Sequence, residues 1–335
     1  MVQAIRLTMA LGACALPSTV QAFITSAAPA QVLAPLRMSD STGVINEPVP
    51  ATFNQCIAQA STAARAAIAE NEMLMEVEFP PLSADYLEDA ISSAYDLSRS
   101  NVRLAVQFAT EFAAQDGKKV SILLPDEAEL ERAIEDEGTD TPFNGVTLNT
   151  LTPSTSKSAV SFDQLIGGWF GQRTGEIEPV EGTDIYVAIV FSCQELPDLE
   201  QLHKASPNTP IVFFNMKLDT QRGDLGLPAF PPKSLHYNFL SRVKPVYLLR
   251  SRNYSRSLPQ PPFVVSYQGA QFRVYPGPYQ SLLETGGRYR LVQTDDIRPS
   301  LGEFKEIITQ SLDLGDYEEG AVLGFLRKGY KTKTW

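Results

Sequence analysis

From residue 52 onward, apolar positions recur at two spacings. Phe53, Ile57, Ala60, Ala64 and Ile68 fall three or four apart, the period of a helix face, and Thr52 is placed to cap it. The alanine density of this stretch raises its helix propensity. Leu74–Phe79 alternates and ends at Pro80 and Pro81, which predicts a strand. A second helical region runs from about Asp85 to Gln115, with Leu104, Ala105, Phe108 and Phe112 as its stripe and Gly117 as its stop. Val120–Leu124 is a short apolar run, and Leu130, Ala133 and Ile134 carry a helix after it. Ile185–Phe191 is the most apolar strand candidate and reads as buried on both faces. Glu195–Lys204 predicts a short helix and Pro210–Phe214 another buried strand. Strands alternating with helices imply a mostly parallel sheet with helices on both faces, an α/β arrangement.

The rhythm then changes. Lys233–Leu240 predicts a short amphipathic helix. Val246–Arg250, Phe263–Tyr267, Phe272–Tyr275, Tyr279–Leu283 and Tyr289–Val292 read as five short strands. Turns are expected at Gln268–Ala270, Pro276–Pro278 and Gly286–Gly287. This is the pattern of an antiparallel meander. Ser300 and Glu303 have capping-box spacing and open a C-terminal helix with Leu301, Phe304, Ile308 and Leu312 on one face. The expected organisation is one α/β (α+β) domain over residues 51–312, with a linker at 39–50 and a tail at 313–335.

Composition changes the picture at the amino terminus. Residues 1–38 hold no acidic residue. Arg6 precedes an apolar core, Leu7–Leu16, and Val20-Gln21-Ala22 is a small-x-small cleavage pattern, so residues 1–22 read as a signal peptide. Residues 23–38, rich in Ala, Ser and Pro, read as a transit-peptide-like segment. The pair resembles the bipartite presequence of algae with secondary plastids, and the expected location is a plastid, in the stroma or peripheral on thylakoids.

Charge sharpens the division of the chain. The 335 residues carry a formal net charge of −11, with 43% hydrophobic and 20% charged residues, which excludes disorder over the whole length. No apolar stretch reaches the ~20 residues of a membrane-spanning helix, so no transmembrane segment is expected in the mature chain. Residues 39–216 hold nine basic and 28 acidic groups, a balance of −19. Residues 217–298 hold 12 basic and five acidic groups, a balance of +7. The acidic total argues against a DNA partner.

Candidate chemistry is sparse. The chain has three cysteines and two histidines, with no Cys-x-x-Cys, so no metal site and no cofactor are expected. Asp126 stands just past a predicted buried strand, where α/β sheets place their ligands, and is the one catalytic candidate. Its spacing to Glu129 equally makes it a helix cap. Gly168, Gly171 and Arg173 lie in a glycine-rich stretch, 167–175, that would suit a phosphate ligand or a plain loop. His203 lies near a helix carboxyl end, where a cation is favoured. Arg242, Lys244, Arg250, Arg252 and Arg256 interleave with Tyr247 and Tyr254. Such a cluster suits a protein partner, anionic lipid, RNA or internal pairing with the acidic part.

The order of Val77–Pro80, Val120–Asp126, the paired strands near 185 and 211, and Gln271–Tyr279 resembles one plastid family, the domain of unknown function numbered nineteen ninety-five. The resemblance covers roughly residues 48–312. It departs from the family pattern at Asn215-Met216, where Asn-Pro is usual, and at Tyr279, where Trp is usual. Members include the low photosystem II accumulation assembly protein, and the domain also occurs fused to a chloroplast adenylate kinase. The resemblance implies a non-catalytic auxiliary factor in photosystem assembly or thylakoid biogenesis, with a photosystem subunit or assembly factor as partner. It brings no catalytic residues.

Overall fold

Apolar runs with no polar face belong in a sheet covered on both sides. The computed structural model describes residues 46–80, 94–151, 177–221, 233–258 and 263–312. Within them Leu74–Glu78 (β1), Val120–Leu124 (β2), Val146–Thr150 (β3), Ile185–Ala188 (β4) and Ile211–Phe214 (β5) are parallel strands. Every residue of β1, β2, β4 and β5 is buried. Lys244–Ser257 (β6) runs parallel to β1 and opens the antiparallel part, which continues through Val264–Val274 (β7), Tyr279–Thr285 (β8) and Arg288–Asp295 (β9). All nine lie in one sheet, ordered β3-β2-β4-β5-β1-β6-β7-β8-β9.

Helices cover both faces, as the alternation of elements predicts. Phe53–Ala69 (α1), Ala94–Asp116 (α2) and Glu127–Glu137 (α3) bury residues with Met75, Val77, Ile122, Val187 and Phe214 on one face. Leu196–Ala205 (α4), Leu218–Gln221 (α5), Lys233–Asn238 (α6) and a 3-10 turn at Leu240–Arg242 pack with Leu74, Tyr186 and Phe213 on the other. Leu301–Gln310 (α7) packs Phe304 and Ile308 against Tyr267 and Leu283. The caps follow the sequence. The Thr52 hydroxyl accepts from the Gln55 amide at 3.3 Å, and Gly117, at φ 62°, follows the last residue of α2. Ser300 and Glu303 form a reciprocal capping box.

Several expectations are corrected. Four strands, not five, make up the antiparallel part, because Gln268-Gly269-Ala270 is no turn but the interior of β7. Gly269 is there for space: a Cβ would come within 3.0 Å of Ile308 Cγ1 and of the Leu282 carbonyl oxygen. The turn at Gly286-Gly287 is real, with φ of 61° and 77°. β3 escapes the sequence reading because its polar Thr147, Asn149 and Thr150 break the apolar run. The expected strand at 185–191 stops at Ala188, and Val190 turns left-handed at φ 64°. Leu301, expected on the buried stripe of α7, is 55% exposed. The presequence, the first part of the predicted second helix and the tail at 313–335 lie outside the described residues.

Gly269→Ala should destabilise the fold by about 1–3 kcal/mol, since the backbone carbonyl of Leu282 cannot yield as a flexible side chain would. Urea unfolding measures it, and an unchanged midpoint refutes the close-approach account.

Candidate functional site

β1 lies between β5 and β6 in the sheet. The chain leaves β1 toward α2 on one face and leaves β5 toward α5 and α6 on the opposite face. Neighbouring parallel strands with diverging connections define a switch point, where open α/β sheets hold ligands. The carboxyl ends of β1 and β5 are therefore the natural site in this fold.

The groups gathered there are charged and buried. Glu76 and Glu78 alternate with Met75 and Val77 along β1, so both carboxylates project to the face of α4 and α5. Glu76 is fully buried, and its Oε1 accepts from the Leu218 amide at 3.0 Å, at the start of α5. Glu78 takes two hydrogen bonds from Arg250, one from Nε at 2.5 Å and one from Nη2. Nη1 of Arg250 reaches Asp219 at 2.6 Å, and Asp219 also holds Arg298 Nη2 at 2.7 Å. Arg298 Nε donates to Gln271, whose amide donates to the Pro299 carbonyl at 2.9 Å. One connected network thus ties β1, α5, β6, β7 and the lead into α7. Burial works against the Arg250 charge. The hydrogen bonds and charges of Glu78 and Asp219 more than offset that, and hold the guanidinium above its ordinary value.

The backbone beside the network is strained. Asn215 and Lys217, which follow β5, adopt φ of 53° and 49°. Asn215 Oδ1 accepts from the Phe79 amide at 2.7 Å and its Nδ2 donates to Asn101 at 3.0 Å, which fixes the end of β1 against α2. Left-handed non-glycine residues persist where surroundings over-determine them. Chemically, the arrangement leaves both Glu78 and Asp219 engaged by arginine. No group of three or more His, Cys, Asp or Glu that could hold a metal ion occurs among the described residues.

The residues expected from sequence fall elsewhere. Asp126 caps α3, its Oδ1 accepting from the Glu129 amide at 2.9 Å. Gly168, Gly171 and Arg173 lie outside the described residues. Of the basic cluster, Arg250 is only 7% exposed and belongs to the interior network, so its expected place on a docking surface is corrected. Lys244 is engaged by Glu72 and lies over the Tyr275 ring, the Glu72 hydrogen bond raising its pKa. Arg242 is exposed, while Arg252 and Arg256 are half-buried. His203, expected as a favoured cation, is instead buried. Its Nδ1 has no hydrogen-bond partner among the described residues, and burial pushes its pKa down, with Arg242 adding to the effect. The network residues Glu76, Glu78, Asp219 and Arg298 were absent from the sequence reading. The signal was two glutamates at alternate positions of an apolar strand, ahead of two prolines.

A doubly wound α/β sheet that continues into an antiparallel meander, stitched by a buried arginine network at its switch point, is the class of protein this chain forms. Residues 50–306, more than half of the chain, match the family described as domain of unknown function, DUF1995, and the protein belongs to that family. No curated protein matches the chain.

Arg250→Met should lower stability by about 3–5 kcal/mol, because it leaves Glu78 buried without its counter-charge. Adding Glu78→Leu should recover much of that loss, and a double variant no better than the single one refutes the assignment. The unfolded chain protonates His203 first as pH falls through about 6.5, so the folded state loses stability below that pH. His203→Leu should flatten this acid limb of a melting-temperature profile. An unaltered slope shows that another group carries it.

Proposed function

We propose that this protein works by binding a protein partner, as an auxiliary factor in photosystem assembly or thylakoid biogenesis inside a plastid. The observation that carries the reading is charge segregation. Residues 225–283 contain no Asp or Glu and seven Lys or Arg, next to an acidic α/β half. Contacts within the molecule engage Lys244, Arg250 and Arg273. Arg242, Arg252 and Arg256 stand at or near the surface and form the docking side. Separated charge of this kind steers an acidic partner and sets the register of docking. The plastid location is supported by the acid-free amino terminus, and the assembly role by the family resemblance.

The full chain, tagged and purified from intact plastids, should bring down a specific partner. Charge reversal at Arg242, Arg252 and Arg256 together should remove that partner, with a circular dichroism spectrum like the parent's showing that the fold is kept. Co-purification unchanged by the triple substitution defeats this docking surface. A fusion of residues 1–38 to a fluorescent protein that is secreted, rather than imported, defeats the location.

A further inference from the structure

β9 closes one side of the sheet. It pairs with β8, and no strand among the described residues lies on its other side. The outward N–H and C=O groups of an edge strand are a template for another strand. Pairing with β8 runs from Arg288 opposite Thr285 to Asp295 opposite Tyr279. Val292 has no opposite number, because Leu291 faces Leu282 and Gln293 faces Ser281. It is the extra residue of a bulge. Counted in rungs of the ladder, β9 reads Arg288, Tyr289, Arg290, Leu291, Gln293, Thr294, Asp295.

That series complements its own reverse. Turned about Leu291, it sets Arg288 against Asp295, Tyr289 against Thr294, Arg290 against Gln293 and Leu291 against itself. The faces agree as well. Tyr289 and Leu291 pack on the side of the sheet that α1 covers. Arg290 Nη2 donates to the Ser311 carbonyl, just past α7, at 3.2 Å, and alternation puts Arg288 on that same side. Asp295 lies there too, lining a groove of about 670 Å³ between β9 and α7. In a regular strand Arg288 and Asp295, an odd number of residues apart, would point to opposite faces. The bulge is what brings them onto one.

Charge at this edge is unmatched within one copy. The groove is lined by Asp295, Asp296, Glu303 and Glu306, and its Arg298 is turned to Asp219 and Gln271. Asp295 Oδ1 accepts from Gln293 at 2.7 Å, whereas its buried Oδ2 has no hydrogen-bond partner among the described residues. Arg288 is exposed. We propose that the outer edge of β9 is a homodimer seam, in which two copies pair antiparallel about a two-fold axis at Leu291 and join their sheets. Arg288 of each copy then meets Asp295 of the other at the mouth of the acidic groove. The contact is isologous and closed. A foreign strand would find the same free backbone groups, but the end-to-end match of charge around an apolar centre belongs to a second copy. The seam goes beyond the protein-binding reading and does not depend on it, since Arg242, Arg252 and Arg256 lie on the 3-10 turn and β6. It is short beside the ~800 Å² per side of a tight complex, so association depends on concentration.

Sedimentation equilibrium of the purified full chain across the micromolar range should show monomer and dimer in exchange, with less dimer as salt is added. Arg288→Asp places two acidic groups opposite each other at both ends of the seam and should weaken the dimer about tenfold. Asp295→Arg should do the same with two basic groups. Combining the two substitutions should restore the parent's affinity, with circular dichroism showing the same fold throughout. A chain that stays monomeric overturns the proposal. So does a dimer that neither single reversal weakens, which assigns the dimer to another face. A combined variant no better than the single ones overturns the register, and growth into larger oligomers overturns the closed two-fold seam. Loss of the dimer with the partner still captured separates this edge from the proposed docking side.

Discussion

A buried guanidinium can stay inside a protein only where carboxylates surround it, and Arg250 sets that condition for the centre of this sheet. It lies on β6, the strand that is parallel to β1 on one side and antiparallel to β7 on the other. Glu78 on β1 and Asp219 on α5 close around it, and Arg298 extends the chain of charges to the segment before α7. The two halves of the fold, one doubly wound and one a meander, therefore share a connection that neither supplies alone. A misplaced register between β1 and β6 would strand the Arg250 and Glu78 charges away from water. That penalty makes the observed register specific rather than merely favourable.

The same network bears on the natural ligand position of the fold. Carboxylates at the carboxyl ends of parallel strands are the usual raw material of α/β active sites. Here Glu78 and Asp219 are engaged by arginine, and Glu76 receives the first amide of α5. The strained backbone at Asn215 and Lys217 is held by the same contacts, with Asn215 bridging β1 and α2. Charge in this molecule thus has two uses. Part of the basic excess of the second half is consumed inside, by the acidic residues of the first. Arg242 is exposed on the 3-10 turn, and Arg252 and Arg256 are half-buried on β6.

Much of the scaffold was legible. Val120–Leu124 and Pro210–Phe214 read as buried strands because neither offers a polar face. Thr52, Asp126 and Ser300 announced helix starts because capping needs only local spacing. Gly269 misled for an instructive reason: a glycine in sequence looks like a turn, whereas here α7 and β8 crowd the backbone and leave no room for a Cβ. His203 misled in the same way, since its helix end favours a cation while its burial against Phe239 does not.

By itself, the sequence determined the order of most strands and helices, the acidic and basic halves and the family, all of which depend on neighbours within a few turns of chain or on summed composition. Only the tertiary structure decided that Glu78, Asp219, Arg250 and Arg298 meet, that Arg250 is interior, and that α7 packs over Gly269. Those outcomes depend on contacts between residues up to 172 positions apart, as Glu78 and Arg250 are. Whether a charge is spent inside or offered to solvent is fixed by which strands lie side by side, and local patterning carries no record of that.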